Sequence, residues 1–227
     1  MKYVSSRNKN EIVESHNAII QGLAKDGGLF TPENINIHIN VDELTNLSYQ
    51  QIATKVIHAF LDDFTEEEIS SSVNQAYDNK FDTEEIVPLH KIEDAYLMEL
   101  YHGPTSAFKD IALTLLPHLL IQSYNKENRH DTISILTATS GDTGKAALSG
   151  FADVKHTAIT VFYPEVGVSQ VQKKQMQTAI GDNVEVIAVK GNFDDCQRMV
   201  KEATQDPQVL ASLHNVTISS ANSINVG

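Results

Sequence analysis

Residues 133–145 read ISILTATSGDTGK, a short β-branched run that passes through a loop of small residues into a helical pattern. The run Ile133–Ala138 predicts a buried strand, and Thr143–Phe151 has the apolar spacing of a helix. Backbone N–H groups of the loop and the N-terminus of the following helix favour binding of a carboxylate or phosphate. This stretch therefore predicts an α/β fold with an anion site at a strand-to-helix turn.

The alternation of strand and helix patterns continues on both sides of this stretch. Further strands are predicted at Tyr96–Tyr101, Ala158–Tyr163, Val184–Val189 and Val216–Ser220. Further helices are predicted at Ser106–Tyr124, where Pro117 predicts a kink, and at Ser169–Ala179 and Asp194–Ala203. Such alternation indicates βαβ units on a mostly parallel, three-layer sheet, and function in such folds gathers in the loops after the strands.

The first 90 residues have a different pattern, which predicts a small helix-rich amino-terminal lobe. Ser48-x-x-Gln51 and Thr65-x-x-Glu68 each have the form of a capping box before an apolar-periodic stretch. We place the boundary near Val87–Leu89, with a lobe over residues 1–90 and the α/β region over residues 91–227.

Composition excludes several classes of protein. The chain has 17 Lys and Arg against 30 Asp and Glu, a formal net charge of −13, which argues against a nucleic-acid partner. No apolar run is long enough to span a membrane and no signal peptide is apparent, so a cytoplasmic location is expected. The single cysteine, Cys196, excludes an intrachain disulfide and is expected to be buried. No metal site is predicted, and the oligomeric state stays open.

The loop after the predicted strand Tyr96–Tyr101 reads HGPTSAFKD over residues 102–110 and continues into a helical pattern. If Ser106 is the N-cap, Lys109 lies in the first helical turn, where the positive end of the helix dipole disfavours an ammonium. Ala107 and Phe108 would desolvate the amine further, which favours Schiff-base chemistry. The alternative, a solvated surface lysine before an amphipathic helix, stays open on these residues alone.

The loop at 139–145 is not a nucleotide-binding motif. A Walker A loop would need glycine at position 139 and serine or threonine at 146, where this chain has Thr139 and Ala146. No G-x-G-x-x-G follows any predicted strand, so the dinucleotide fingerprint is missing as well.

Taken together, residues 102–110 and 139–144 closely resemble the threonine synthase family, pyridoxal-phosphate enzymes of fold type II. The resemblance covers essentially the whole chain, through residues 26–32, 167–169, 192–197 and 220–225. It implies a lyase that converts O-phospho-L-homoserine and water into threonine and inorganic phosphate, with pyridoxal 5′-phosphate as cofactor.

The resemblance also implies roles for individual residues. Lys109 would form the internal aldimine and then shuttle protons between substrate carbons. Further cofactor contacts are expected at Phe108, Asp142 and Asn222, although Asn222 alternatively caps a following helix. Substrate contacts are expected at Thr105, Ser106, Ser140, Gly141 and Thr143.

Asp142 differs from the asparagine that wider fold-type II relatives carry after the Ser-Gly pair, whereas the threonine synthase branch commonly has aspartate. An ionised Asp142 facing the cofactor phenolate would be repulsive, so it is expected to be protonated, turned away or paired with a cation, for which Lys145 is a candidate.

Three readings of function stay open from the sequence. Members of the family continue well beyond the equivalent of Gly227, through a Gly-rich loop that grips the cofactor phosphate, so this chain is expected to be an amino-terminal portion that is inactive alone. A threonine-synthase-like phospholyase, which releases a keto acid and phosphate, is a second reading. A truncated, non-catalytic module of the same fold is a third.

Overall fold

The structure, a computed structural model, describes residues 1–203, 206–212 and 216–217. Its amino-terminal part combines a small sheet with three helices. Strands β1 (Lys2–Ser5), β2 (Ile12–Glu14) and β3 (Phe30–Pro32) form an antiparallel sheet in the order β2-β1-β3. The helices are α1 (Ser15–Gln21), α2 (Tyr49–Phe60) and α3 (Glu66–Ala76), with a 3-10 turn at Val41–Leu44. The helix-rich character is as predicted, but the sheet was missed because strands of three or four residues are too short to show a clear alternation.

Both predicted capping boxes are confirmed. The Ser48 hydroxyl accepts from the N–H of Gln51, whose side chain accepts from the N–H of Ser48. Thr65 and Glu68 make the same reciprocal pair at the start of α3. Each box satisfies two N–H groups that a helix start would otherwise leave unpaired, which is why these helices begin where the sequence predicts.

The next two strands correct the prediction for Tyr96–Tyr101. Strands β4 (Leu89–Ile92) and β5 (Ala95–Met98) pair with each other as an antiparallel hairpin, apart from the parallel sheet. The two residues of its turn are Glu93 and Asp94, and Glu93 has a positive φ of 52°. Hairpin turns of this length usually carry glycine or asparagine, so this turn gave no signal in the sequence.

The predicted helix at Ser106–Tyr124 is two helices, α4 (Asp110–Leu113) and α5 (Leu116–Lys126). The predicted disruption at Pro117 is confirmed, because Pro117 lies in the first turn of α5, where a missing N–H is tolerated. The prediction that Ser106 is the N-cap is wrong. Its φ of 58° lies in the left-handed region, and α4 begins only after Lys109.

A parallel sheet forms the carboxyl-terminal region, as predicted. Its strands β6 (Ile133–Ala138), β7 (Thr157–Pro164), β8 (Val184–Val189) and β9 (Val216–Thr217) lie in the order β8-β7-β6-β9. The helices that connect them are α6 (Asp142–Phe151), α7 (Gln170–Gln177), α8 (Phe193–Ala203) and α9 (Pro207–Ser212). The predicted remainder of the last strand, residues 218–220, lies outside the described residues.

Two hydrophobic clusters meet at α5. One packs the parallel sheet against its helices, with Leu120 and Tyr124 supplied by α5. The other fills the amino-terminal lobe and includes Leu115 and Leu119. A domain boundary near residue 90 stays a prediction, since helix α5 packs into both clusters.

Cys196 is fully buried, as expected, and its burial raises the pKa of the thiol. None of the helices among the described residues is both long and apolar enough to cross a membrane.

His118 is a buried polar residue of α5. The residue is 9 % exposed, and its Nε2 atom has no hydrogen-bond partner. Burial, with a smaller contribution from Lys80, lowers the pKa of His118 to about 4. The native state therefore holds this imidazole neutral at pH values where an unfolded chain would protonate it.

Replacing His118 with leucine is expected to flatten the acid dependence of stability. Because the folded pKa lies below the unfolded one, the wild type loses stability as the pH falls from about 6.5 to 4. At about 1.4 kcal/mol per pKa unit, and allowing for solvent screening, that loss is on the order of 2 kcal/mol. Urea unfolding at pH 7.5, 5.5 and 4.5 measures it. His38→Leu, at an exposed histidine, is the control, and equal pH slopes in wild type and H118L would contradict the prediction.

Candidate active site

Lys109 lies at the junction of a tight loop and helix α4. Its backbone is α-helical (φ −67°, ψ −18°), and its carbonyl accepts from the N–H of Leu113. The side chain is 12 % exposed. Its Nζ donates to Asp142 Oδ1 at 2.9 Å and to Thr143 Oγ1 at 2.7 Å, so residues 33 and 34 positions along the chain hold the amine from the start of α6.

Asp142 is paired with a cation, which is one of the three states that the sequence allowed. That cation is Lys109 and not Lys145, the partner proposed from the sequence. Lys145 instead lies near Asp110: burial raises the pKa of that carboxyl, and Lys145 opposes the rise with a smaller lowering effect. The amine of Lys109 and the carboxylate of Asp142 thus neutralise each other's charge at the N-terminus of α6.

Asp110 fixes the shape of the loop that ends at Lys109. It is 1 % exposed, and both of its carboxylate oxygens accept from Thr105: Oδ2 from the backbone N–H at 2.8 Å and Oδ1 from the hydroxyl at 2.6 Å. A side chain at Gly103 would lie 2.5 Å from Asp110 Cβ, so only glycine lets the loop close this tightly. Asp110 was not among the residues predicted from the sequence, although it directly follows Lys109.

These bonds bear on the expected substrate contacts at Thr105 and Ser106. Both hydrogen-bond donors of Thr105 are taken by Asp110, so Thr105 could donate to an anionic substrate only by releasing that carboxylate. Ser106 is exposed and donates its N–H to Gly103 O at 3.0 Å. Phe108 is 42 % exposed, with its ring centre 5.6 Å from the Lys109 Nζ.

The loop before α6 is organised by Thr139, which was not among the site residues predicted from the sequence. Thr139 is 2 % exposed, and its hydroxyl oxygen accepts from the N–H groups of Gly141 and Gly144 at 3.1 and 3.0 Å. The first two helical residues, Asp142 and Thr143, have N–H groups that an α-helix cannot pair internally. Ser140 is exposed beside them, so the loop in which an anion site is predicted lies at the amino end of α6, and anion binding stays a prediction.

His102 anchors the other end of the Lys109 loop. Its Nδ1 lies 2.5 Å from Asp82 Oδ1 and its Nε2 lies 2.7 Å from Glu99 Oε2. Hydrogen bonds to Glu99 and then Asp82 raise the pKa of His102. The backbone adds a further tie, because the N–H of Asp82 donates to His102 O at 3.1 Å.

The topology explains why these loops meet. Strands β6, β7 and β8 are parallel, so their carboxyl ends at Ala138, Pro164 and Val189 lie along one edge of the sheet. The loop at 139–141 leaves that edge, and α4 packs beside α6 to bring Lys109 to it. This is the edge at which open α/β sheets bind their ligands. Asn222, the remaining predicted cofactor contact, lies outside the described residues.

Comparisons with known proteins identify the family of the chain. Residues 2–77 match the family described as "Threonine synthase N terminus", and residues 82–224 match "Pyridoxal-phosphate dependent enzyme". The chain is 36 % identical to the threonine synthase of Pseudomonas aeruginosa over 227 residues, covering 98 % of this chain and 48 % of that protein. It is 35 % identical to the threonine synthase of Saccharomyces cerevisiae over 243 residues, covering 98 % and 46 %.

Solved structures give the same picture. The crystal structure of PLP-bound threonine synthase from Brucella melitensis matches with a TM-score of 0.88 at 34 % identity, covering 99 % of this chain and 48 % of that one. Threonine synthase from Escherichia coli matches with a TM-score of 0.81 at 31 % identity, covering 100 % and 51 %. The chain therefore spans about half the length of the relatives it matches.

Proposed function

Since the chain belongs to the family of pyridoxal-phosphate dependent enzymes, we propose that it is the amino-terminal part of a threonine synthase. The proposed reaction converts O-phospho-L-homoserine and water into threonine and inorganic phosphate. The observation that carries the proposal is the position of Lys109, whose Nζ is held by Asp142 and Thr143 at 2.9 and 2.7 Å. A cytoplasmic location remains a prediction from the sequence.

The residues around Lys109 suit a cofactor with an aldehyde and a phenolate oxygen. The side chain of Lys109 is 12 % exposed, so the amine is reachable but poorly solvated. The aromatic ring of Phe108 lies beside the amine, and Asp142, whose charge is paired with Lys109, is a proposed contact with the ring of pyridoxal phosphate. When bound, that cofactor withdraws electrons from the substrate, which makes protons on its carbons removable.

Lys109 has two proposed tasks, and its neighbours support both. Its Nζ would hold the cofactor, and the amine would take up and return protons at the substrate carbons. Asp142 and Thr143 limit the positions that Nζ can adopt, which places the proton at one point in the site. The hydrogen bonds between Thr105 and Asp110 support that geometry, because they fix the loop from which Lys109 projects.

The amino end of α6 is the proposed site for the substrate carboxylate. The N–H groups of Asp142 and Thr143 and the exposed Ser140 supply donors beside the positive end of the helix dipole. Because Asp142 is paired with Lys109, its charge opposes an incoming anion less than a free carboxylate would. Ser106 and Asn222 stay as proposed contacts.

The test is covalent trapping on the chain itself. The chain is incubated with pyridoxal phosphate, reduced with borohydride and digested, and the labelled peptide is identified by mass spectrometry. A label concentrated on Lys109 supports the proposal. Labels spread over the exposed lysines with none enriched at Lys109 would contradict it.

A second candidate function, a phospholyase of the same family, differs only in its product. Product analysis on an intact protein that contains this chain separates the two, since threonine synthase releases threonine and a phospholyase releases a keto acid. The half-length match to threonine synthases also keeps a third candidate, a module that binds the cofactor without turnover. Trapping on Lys109 without any product from the intact protein would favour this module.

A further inference from the structure

A side chain from outside the loops considered so far reaches the proposed anion site. Gln172, in the first turn of α7, lies against Gly141, just before α6. A Cβ atom built on Gly141 would be 3.0 Å from Gln172 Nε2, 3.2 Å from its Oε1 and 3.3 Å from its Cδ. The carboxamide of Gln172 therefore covers the backbone of the loop that receives the substrate in the proposed function.

The orientation of this carboxamide is fixed by the cap of its own helix. Ser169 is the N-cap of α7: its hydroxyl oxygen accepts from the N–H of Gln172 at 3.2 Å. The same hydroxyl donates to Gln172 Oε1 at 3.0 Å. The amide oxygen is thus occupied, while among the described residues the Nε2 group donates no hydrogen bond and keeps both of its hydrogens available.

We propose that Gln172 is a binding and specificity residue of this site, which donates from Nε2 to an anionic oxygen of the substrate. The ligand class is an oxyanion, either a carboxylate or a phosphate group. The inference rests on the proposed function, because it assigns a donor to the substrate site postulated there. An amide donor next to a helix N-terminus adds to the positive end of the dipole without adding a charge that would bind any anion tightly.

The opposite interpretation is that Gln172 only packs α7 against α6. The two interpretations predict opposite orders for two substitutions. Glutamate at 172 keeps the shape of glutamine, still accepts from Ser169 and completes a Ser-x-x-Glu capping box, so packing and the helix are preserved. Alanine removes the contact with Gly141 altogether. A packing role makes Q172A the worse variant, whereas an oxyanion-binding role makes Q172E the worse one, because its charge repels the ligand.

The experiment is a titration of the ¹⁵N-labelled chain followed by NMR. Two probes separate the two sources of oxyanion: inorganic phosphate, and L-2-aminobutyrate, which carries a carboxylate and no phosphate. In the wild type, we expect the Gln172 side-chain amide signals and the Gly141 backbone N–H to shift together with one Kd. A hydrogen bond to a charged group is worth about tenfold or more in affinity, so Q172A should weaken binding about tenfold and Q172E further.

Gln170→Glu is the matched control. Gln170 is exposed and lies two residues earlier in the same helix turn, so this variant makes the same change of charge without contact with Gly141. It should bind both probes within about twofold of the wild type. The probe that Q172E weakens most identifies the group that Gln172 contacts.

The outcomes separate this inference from the proposed function. Covalent trapping on Lys109 combined with equal Kd values for Q172E and Q170E would overturn the role of Gln172 alone. Absence of trapping, combined with oxyanion binding that Q172E abolishes, would overturn the proposed function while the binding role stands. A wild-type chain in which neither probe shifts the Gln172 amide would overturn the inference.

Discussion

Replacing Lys109 with alanine is expected to abolish covalent trapping of pyridoxal phosphate while leaving the free energy of unfolding almost unchanged. The variant removes the amine that must react, and among the described residues no other lysine hydrogen-bonds to Asp142 or Thr143. The label at position 109 should be lost completely, because its amine is gone, and any remaining label should be spread over the exposed lysines.

The stability part of this prediction follows from the exposure of the partner. Asp142 is 45 % exposed, so water can solvate its carboxylate once Lys109 is gone. Ion pairs with one accessible partner contribute about 0–1 kcal/mol, so urea unfolding of K109A should stay within about 1 kcal/mol of the wild type. The role of Lys109 would then be chemical and not structural.

Two variants make the measurement specific. Lys174→Ala removes an exposed lysine on α7 and should trap the cofactor as the wild type does. Lys109→Arg keeps a positive charge beside Asp142 but supplies no primary amine, so it too should fail to trap. Trapping retained in K109A at the wild-type level would refute the assignment of Lys109.

The sequence predicted the parallel strands well because their composition is strongly β-branched and their flanks are clear. Ile133–Ala138 and Val184–Val189 agree at both ends with the observed strands β6 and β8. The prediction that Tyr96–Tyr101 belongs to the parallel sheet was wrong, because β5 pairs with β4 in a hairpin. The turn at Glu93 and Asp94 carries none of the residues that usually indicate a hairpin. Pairing partners depend on the whole chain, whereas strand propensity is local.

The site shows the same division between local and distant information. The loops around Lys109 and Asp142 were selected from the sequence, but their contact joins residues 33 positions apart, and the pattern pointed to Lys145 instead. Gln172 and Gly141 are brought together by two different helices, and nothing in the local sequence indicates that contact. Asp110 was missed for another reason: a buried carboxylate that closes its own loop looks, in sequence, like an ordinary first-turn acid of a helix.

The contact between α4 and α6 depends on one glycine, and changing Gly150 to alanine tests it. Gly150 is a buried residue in the last turn of α6. A Cβ atom there would lie 2.0 Å from the carbonyl oxygen of Leu113 and 2.7 Å from its carbonyl carbon. Both are backbone atoms at the end of α4, so a side chain cannot rotate away to relieve the overlap.

Pro117 explains why that carbonyl is available for such close approach. In a continuous helix the Leu113 oxygen would accept from the N–H four residues later, but residue 117 is proline and has none. The break between α4 and α5 therefore turns this carbonyl toward α6, where only glycine leaves room for it. Pro117 therefore leaves the Leu113 carbonyl without its helical donor, and Gly150 gives that carbonyl the space to pack against α6.

Gly150→Ala is accordingly expected to lower the free energy of unfolding by about 3 kcal/mol, in the upper range for overpacking in a core. The sign is informative, because glycine to alanine within a helix normally stabilises by up to about 1 kcal/mol. Urea unfolding at pH 7.5 measures the change. Gly181→Ala is the control, since a Cβ there would lie 3.3 Å from the nearest side-chain carbons, and its effect should stay below about 1 kcal/mol.

The same substitution should also weaken trapping of pyridoxal phosphate in the fraction that stays folded. Lys109 immediately precedes α4, and Asp142 and Thr143 begin α6, so forcing these helices apart lengthens the two hydrogen bonds that hold the Lys109 amine. We expect slower labelling of Lys109 in G150A than in G181A at a urea concentration where both are fully native. If G150A proved as stable as the wild type and labelled at the wild-type rate, α4 and α6 would not be in the close contact described here, and the geometry assigned to Lys109 would lose its support.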